Sequence, residues 1–202
     1  MHDVEQLPVA GTVIMLHPDD GGFEVLLMRR PARGSFPDAW VFPGGRVEDG
    51  DRRPGAGEVD DARRAGIRET FEEVGLVVDE AVVLSCWHPP VEAPTRIRTW
   101  FFVAPAPRGT LTTSAEEVVE AVWIRPADAL RAHAAGEWTL FPPTWMTLEH
   151  LRRFESAEAV RDAAREPEHF ATRVVRSADG PAFEWGPVRL ETGSLPWRIV
   201  ER

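Results

Sequence analysis

Two short apolar runs near the start of the chain are separated by residues that favour a turn. Residues 9–16 and 23–28 are rich in aliphatic and β-branched side chains, whereas the segment between them contains Pro18, two aspartates and two glycines. Runs of this length bounded by Pro, Asp and Gly are typical of strands joined by a short connection. The pattern therefore predicts a β-hairpin over residues 9–28.

A long polar segment follows the hairpin. Residues 31–60 are rich in Pro, Gly, Asp and Arg, and only residues 40–42 interrupt them with apolar character. Connections this long are usually functional or disordered. We therefore expect a loop that carries one short strand.

The next segment has the periodicity of an amphipathic helix. Asp60 or Asp61 is suited to cap its free backbone N–H groups, and Gly75 is the residue type favoured just past a helix end. A helix from residue 60 or 61 to Gly75 is therefore predicted. The apolar residues that recur at helical spacing, and that we expect to face the core, are Ile67, Phe71 and Val74.

The remaining pattern mixes strands with helices, so the predicted fold class is α/β or α+β. Strands are expected at residues 81–86, 97–104 and 118–124, and helices at 126–135 and 143–165.

The carboxyl end is predicted to form an extension. After Pro167, two strands at 173–176 and 182–190 are joined by an Asp179-Gly180 turn, which is typical of a hairpin. We expect a single domain over residues 1–202, with a core at about 9–135 and a helical and hairpin extension at about 143–202. The helix at 143–165 either covers the sheet or mediates a homodimer.

Composition and charge narrow the functional classes. The chain is 43% hydrophobic and 28% charged, as folded proteins usually are. Its net charge of −10 opposes sequence-independent binding of nucleic acid, since that needs Lys and Arg to neutralise phosphates. Cys86, the single cysteine, fits a reducing compartment and is expected to be packed rather than nucleophilic. With no signal sequence and no bilayer-spanning run, we expect a cytoplasmic protein that does not bind membranes.

The candidate chemistry lies in the segment Arg68-Glu69-Thr70-Phe71-Glu72-Glu73-Val74-Gly75-Leu76, which follows Phe42-Pro43-Gly44-Gly45. Glu69 is three residues before Glu72 and four before Glu73, so the three carboxylates project from one side of a helix. We call them the acidic cluster. They repel one another, and Arg68 alone cannot balance them. Hard divalent cations such as Mg²⁺ take oxygen ligands from carboxylates and substrate phosphates. Three glutamates on one helix face are by themselves more often a solvated acidic surface than a cation site, so both interpretations stay open at this point.

The segment resembles the Nudix box, in which an Arg-Glu pair, two adjacent glutamates and a glycine stand at fixed spacing after a glycine pair. The resemblance to Nudix hydrolases covers at least residues 9–135 and implies a mixed β-sheet sandwiched between helices. It implies that Arg68 orients the acidic cluster, that Glu69 also acts on the attacking water, and that Glu117 is a further base or metal ligand. The ligands that it implies for Mg²⁺ or Mn²⁺ are the carbonyl of Gly44 and the carboxylates of Glu69, Glu72 and Glu73.

The match has two departures from the family pattern. Thr70 stands where an aliphatic residue is usual, and we expect it to pack rather than react. Counting from Gly45 places Asp51 where the family usually has glutamate, but Arg68 then follows nine residues late, whereas Asp60 restores the downstream spacing. We infer an insertion at residues 51–59, which leaves open which aspartate takes the front acidic position.

The reaction that the resemblance implies is hydrolysis of a nucleoside diphosphate linked to another moiety in a small molecule. Several segments are similar to the Nudix branch related to peroxisomal CoA diphosphatases, and this makes CoA or acyl-CoA the leading substrate. These segments are residues 26–30, 39–47, 96–102 and 141–144. Arg29 and Arg96 are the predicted substrate-binding residues. Alternatives are NADH, ADP-ribose or oxidised nucleoside triphosphates as substrates, or a non-catalytic domain that senses a nucleotide.

Overall fold

The computed structural model describes residues 7–33, 37–107, 109–164, 167–177 and 180–201. The amino end, the predicted helix end at Arg165 and the predicted turn residue Asp179 lie outside these ranges. The strands are β1 Val9–Asp19, β2 Gly22–Arg29, β3 Trp40–Val41, β4 Gly44–Arg46, β5 Val82–His88, β6 Arg98–Pro105, β7 Glu120–Ile124, β8 Glu168–Ala171, β9 Arg173–Ser177, β10 Gly180–Trp185, β11 Val188–Glu191 and β12 Arg198–Glu201. The helices are α1 Glu58–Val74, α2 Pro126–Ala134, α3 Pro142–Leu151 and α4 Ala157–Ala163. None of the described helices is long and apolar enough to cross a membrane.

The main sheet is mixed, as predicted. Its strand order is β3-β2-β1-β6-β5-β8, with β4 also paired to β1 and β7 to β2. β1 and β2 form the predicted antiparallel hairpin, whereas β1 pairs with β6, and β5 with β8, in parallel. The first strand is therefore central to the sheet, and this explains why its middle is apolar on both sides.

Alternate residues of β1 face two separate cores. Val13 and Met15 pack with α1 on one face of the sheet, which we call the α1 face. Ile14 and Leu16 pack with α3 and the carboxyl-terminal sheet on the opposite face. The sheet is thus sandwiched between helices, as the resemblance implied.

Helix α1 differs from its prediction at its start and on its buried side. It begins at Glu58 with Gly57 as the N-cap, so neither Asp60 nor Asp61 is the cap. Both lie in the first turn, where negative charge is favourable next to the exposed N–H groups. The expectation for Phe71 is wrong, because its side chain is 56% exposed.

The side of α1 that meets the sheet is lined mainly by small residues. A Cβ atom on Gly11 of β1 would collide with the carbonyl of Ala62, and one on Gly66 would lie 3.1 Å from the carbonyl carbon of Gly11. Thr70 is fully buried here and donates its hydroxyl to the carbonyl of Gly66 at 2.7 Å. The close approach of backbones leaves no room for a phenylalanine, so Phe71 turns outward.

The carboxyl-terminal extension contains more structure than the predicted helix and hairpin. The single helix expected at 143–165 is instead α3 and α4, separated by residues 152–156, and Ser156 caps α4 through a hydrogen bond from the N–H of Ala159. The expected strand at 182–190 is broken by a turn at Gly186, where φ is 57°. Strands β9–β12 form a four-stranded antiparallel sheet. β8, although it also belongs to the extension, is not part of that sheet and instead pairs with β5 at the edge of the main sheet.

Candidate active site

The glycine pair, Gly44 and Gly45, lies in β4, which pairs with β1 and contacts helix α1. Gly44 has a φ of +152°, and a Cβ atom there would collide with the backbone of Gly11 and Thr12. A Cβ atom on Gly45 would collide with the carboxyl group of Glu69. Glycine is needed at both positions because the β4 backbone is squeezed between a strand and a carboxylate.

Glu73 is the most buried member of the acidic cluster. It is 3% exposed, and its Oε2 accepts a hydrogen bond from the backbone N–H of Gly44 at 2.9 Å. Burial raises the pKa of Glu73 to about 8; the hydrogen bond from Gly44 opposes the rise, and the charge of Glu69 adds to it. Among the described residues, Glu73 has no salt-bridge partner.

The other two glutamates of the cluster are progressively more exposed. The side chain of Glu69 is 17% exposed and that of Glu72 is 50% exposed. Burial raises the pKa of Glu69, although the neighbouring guanidinium of Arg68 lowers it. The cluster therefore runs from a buried carboxylate against the β4 backbone to one in contact with solvent.

Arg68 is held by Asp51 and touches two members of the cluster. Its Nε and Nη2 donate to the two oxygens of Asp51 at 3.1 and 3.0 Å, and its Nη1 lies 3.0 Å from Glu69 Oε1 and 2.8 Å from Glu72 Oε2. The hydrogen bonds that Arg68 donates to Asp51 raise the pKa of Arg68, so the guanidinium stays charged. Arg68 is thereby fixed between a buried anchor and the acidic cluster.

Asp51, and not Asp60, is the aspartate that contacts Arg68. Asp51 is 4% exposed and ends a short 3-10 turn, where it also accepts a hydrogen bond from the N–H of Glu48 at 2.9 Å. Asp60 instead pairs with Arg63 on the surface of α1. Residues 52–57 connect this turn to α1, and the contact from Arg68 to Asp51 spans that connection.

Glu117 lies in a turn that is hydrogen-bonded to the carboxyl-terminal end of α1. The expected strand start at residue 118 is wrong, since β7 begins at Glu120. The N–H of Ser114 donates to the carbonyl of Glu73 at 2.9 Å, and the N–H of Glu117 donates to Ser114 at 3.2 Å. The charge of Glu117 raises the pKa of both Glu69 and Glu73. Glu117 therefore lies close enough to the acidic cluster for its charge to act on Glu69 and Glu73.

The arginines near β2 occupy different sides of the sheet. Arg29 shares the face of Leu27, away from α1, because side chains alternate along a strand, and its Nε lies 3.9 Å from Glu120 Oε2. Arg30 follows Met28 on the α1 face, and its charge lowers the pKa of Glu73. The Nε atom of Arg30 is buried and has no hydrogen-bond partner among the residues that the structure describes. Arg30 is thus the arginine of this pair that faces the acidic cluster.

Arg96 is placed apart from the acidic residues. It lies in the loop between β5 and β6, and its buried Nε meets no hydrogen-bond partner in the described ranges. No hydrogen bond or ion pair within the described part of the chain joins Arg96 to the acidic cluster. The structure therefore does not bring the two predicted substrate arginines, Arg29 and Arg96, into direct contact with the carboxylates.

Two contributions to the site were missed or left open by the sequence analysis. Asp51 could be found by counting from the glycine pair, but the interrupted spacing obscured it. Arg30 could be found from the alternation of β2, which places it two residues after the buried Met28 on the face that α1 covers.

The donor set suits a hard divalent cation. The groups that converge are carboxylate oxygens, and the two arginines nearby do not balance the four glutamates. Glu73 is a buried carboxylate that receives a single neutral N–H, an arrangement that costs free energy unless a cation compensates it. Mg²⁺ and Mn²⁺ prefer oxygen ligands of this kind.

Comparison with known proteins gives a family for this arrangement. The NUDIX domain family model matches residues 7–144. No curated protein sequence matches the chain.

Solved structures share the fold at low sequence identity. A NUDIX hydrolase from Alicyclobacillus acidocaldarius is 20% identical with a TM-score of 0.69, covering 78% of this chain and 96% of that one. A MutT NUDIX hydrolase from Burkholderia pseudomallei is 23% identical with a TM-score of 0.54, covering 72% and 98%. The NUDIX domain of Shewanella oneidensis NrtR, solved in complex with ADP ribose, is 16% identical with a TM-score of 0.58, covering 74% and 88%. Because the family model spans more than half of the chain, including the glycine pair and the acidic cluster, the chain belongs to the NUDIX family and is a Nudix hydrolase, a pyrophosphohydrolase.

Proposed function

We propose that this chain uses Mg²⁺ or Mn²⁺ to cleave a nucleoside diphosphate linked to another moiety, with CoA or acyl-CoA as the leading substrate. Members of the family typically use a divalent metal. The observation that carries the proposal is the convergence of Glu69 and Glu73 on the backbone of Gly44 and Gly45, with too few cations to balance them. The chemistry is assigned to residues 9–135, and residues 143–202 are an extension of the same domain.

The metal ligands in this proposal are the carbonyl of Gly44 and the carboxylates of Glu69, Glu72 and Glu73. A divalent ion held there neutralises phosphate oxygens, lowers the pKa of bound water and stabilises the leaving phosphate. Arg68 is a positioning residue, because its donors are occupied by Asp51 and the cluster. It keeps the carboxylates in place while substrate enters.

The remaining residues act on water and on substrate. Water attacks one phosphorus, the anhydride P–O bond breaks, and the leaving phosphate takes the bonding electron pair. Glu117, or Glu69 in its second role, accepts the proton of the attacking water. Arg30, with its unsatisfied Nε on the α1 face, contacts a phosphate beside the metal, and Arg29 and Arg96 bind more distant parts of the substrate.

The substrate class rests on two independent likenesses. The segments around β2, the glycine pair and β6 support CoA or acyl-CoA. The complex of the NrtR domain with ADP ribose supports ADP-ribose as a second candidate. Both molecules contain an adenosine diphosphate joined through its terminal phosphate to a second group, so the same metal and arginine contacts suit them.

A product analysis tests the proposal. The protein is incubated with Mg²⁺ or Mn²⁺ and CoA, acetyl-CoA, NADH, ADP-ribose or a nucleoside triphosphate in ¹⁸O-enriched water, and the products are identified by mass. CoA is expected to yield 3′,5′-ADP and phosphopantetheine, with the label on the phosphorus that water attacks. Turnover is expected to stop when EDTA removes the metal.

The controls separate the substrate from the reaction. Cleavage of ADP-ribose or NADH without cleavage of CoA would remove the leading substrate but keep the reaction. Tight binding of a nucleotide with no cleavage of any compound, in either metal, would favour the sensing domain instead. Asp60→Asn, which alters an acid outside the cluster, is the matched variant and should retain full turnover.

A further inference from the structure

Three potential metal ligands meet where β8 joins the main sheet. Cys86 and His88 lie two residues apart on β5, so their side chains share a face. His169 on β8 is the direct parallel partner of Cys86. The donor atoms of the three side chains all lie within 4.8 Å of one another, and Cys86 Sγ is 3.8 Å from His88 Nε2. We call these three residues the Cys-His cluster.

The spacing of the Cys-His cluster matches that of ligands around a zinc ion. With bonds of about 2.3 Å to sulfur and about 2.0 Å to nitrogen, a tetrahedral or trigonal site holds the two donors roughly 3.5–3.7 Å apart. The observed sulfur–nitrogen distance is 3.8 Å. His169 is exposed, and its donor atom lies within 4.8 Å of those of Cys86 and His88. No disulfide competes for the sulfur, because Cys86 is the only cysteine.

The Cys-His cluster is far from the acidic cluster. Cys86 is paired in register with Trp100, whose indole N–H donates to Glu58 at 2.8 Å, and Trp100 contacts His169 with ring centroids 5.5 Å apart. Glu58 is the first residue of α1 and Glu69 lies eleven residues later, which is about 16 Å along a helix. The two sets of ligands therefore cannot share one ion.

The two sets also differ in chemistry. Thiolate and imidazole donors select zinc and similar transition metals, whereas carboxylate oxygens suit Mg²⁺ and Mn²⁺. The neighbouring cation Arg98 does not oppose binding strongly, because its Nη1 donates to Glu58 Oε2 at 2.6 Å and the pair is close to neutral.

We propose that Cys86, His88 and His169 bind one Zn²⁺ ion, which ties β8 of the extension to β5 of the catalytic core. The fourth position, at the exposed rim beside His169, is taken by water. Binding displaces the thiol proton of Cys86 to solvent, since the thiolate is the ligand. On the opposite face of the same two strands, Trp87 stacks on Phe170 with ring centroids 4.1 Å apart. The short β8 strand is thus held on one face by aromatic packing and on the other by metal.

Cobalt titration of the full chain tests the site. Reduced, EDTA-treated protein is titrated with Co²⁺ as the probe, and thiolate-to-cobalt charge-transfer and visible d–d bands are recorded. Bands that saturate at one equivalent and are displaced by Zn²⁺ are expected. Cys86→Ser should abolish the charge-transfer band, and His169→Gln, at an exposed position, should weaken Co²⁺ binding by about tenfold or more.

Two matched variants and a second readout complete the test. His17→Gln, at an exposed histidine outside the cluster, and Glu73→Gln, in the acidic cluster, should both keep the charge-transfer band. Zn²⁺ should slow amide hydrogen exchange of residues 168–171 in the parent protein and leave it unchanged in His169→Gln. Absence of the charge-transfer band at one equivalent of Co²⁺, or its survival in Cys86→Ser, would overturn the metal site. Exchange of β8 that does not respond to Zn²⁺ would overturn its role as a tie.

Discussion

The two ends of helix α1 each carry three acidic residues, and the fold treats them in opposite ways. At the amino-terminal end every acid contacts its own arginine. The pairs are Glu58 with Arg98, Asp60 with Arg63, and Asp61 with Arg64. Nearer the carboxyl-terminal end, Glu69 and Glu72 share Arg68, and the most buried glutamate, Glu73, has no salt bridge among the described residues.

This difference distinguishes the acidic cluster from an ordinary solvated acidic surface. Both ends of α1 carry three acidic residues. Only the carboxyl-terminal end combines a buried carboxylate with fewer arginines than acids. Burial raises the pKa of Glu73 and Glu69, and perturbed carboxylates that face one another are common at functional sites. Substitutions at the two ends of α1 and at Asp51 should therefore differ in their effect on activity.

Glu73→Gln should remove most of the activity. In the proposed mechanism Glu73 is a metal ligand. If the metal contact stabilises the transition state by several kcal/mol, its loss should lower kcat by about a thousandfold. The measurement is turnover of the best substrate in Mg²⁺ and Mn²⁺, together with thermal unfolding.

The fold should survive this substitution. Glutamine can still accept the hydrogen bond from Gly44 and is neutral like the protonated form that burial favours for Glu73, so the melting temperature without metal should be unchanged or higher. The stabilisation that Mg²⁺ gives the parent should disappear. Parental turnover in Glu73→Gln would contradict the assignment of the acidic cluster as the catalytic metal site.

Asp51→Asn should have an intermediate effect. It weakens the paired hydrogen bonds that anchor Arg68, so kcat should fall about tenfold while KM changes little, and the unfolding free energy should fall by about 2 kcal/mol. Asp51→Glu keeps the charge and should recover most of the activity. If Asp51→Glu were as impaired as Asp51→Asn, general packing at this position would matter more than the contact to Arg68.

The contribution of Asp51 to stability should depend on pH. Burial alone would raise the pKa of Asp51, but hydrogen bonds from Arg68 and the N–H of Glu48 bring it below the ordinary value of 3.8. A lowered pKa in the folded state gives stability that is present above the unfolded value and is lost as pH falls through the folded value. Denaturant unfolding should therefore show a smaller gap between parent and Asp51→Asn at about pH 3 than at about pH 6.

Asp60→Asn should have the smallest effect. Asp60 pairs with Arg63 one turn along the helix surface, and such exposed pairs contribute up to about 0.5 kcal/mol. Turnover should stay within about twofold of the parent, since the pair contributes so little. An equal loss of activity in Asp60→Asn and Asp51→Asn would contradict the choice of Asp51 over Asp60 as the aspartate that supports the site.

Much of the fold follows from local pattern. The sequence predicted three of these features: the hairpin of β1 and β2, the strands β5 and β6, and the end of α1 at Gly75. Each depends on the alternation of apolar residues or on turn residues within a few positions. The four-stranded sheet of the extension was not predicted, because its strands are short and weakly apolar and are defined by their partners. The predicted role of Phe71 was wrong, since periodicity locates an apolar stripe but does not show how closely a neighbouring strand approaches.

For the site, the sequence by itself determined which candidate residues converge when they are close along the chain. The glycine pair and the three glutamates stand at spacings that one strand and one helix convert directly into proximity. Tertiary structure alone decided that Asp51 anchors Arg68 across the insertion, that Arg30 and not Arg29 faces the acidic cluster, and that His169 lies beside Cys86. These relations depend on how loops close and which strands pair, and the residues involved are brought together only when distant segments pack into one sheet.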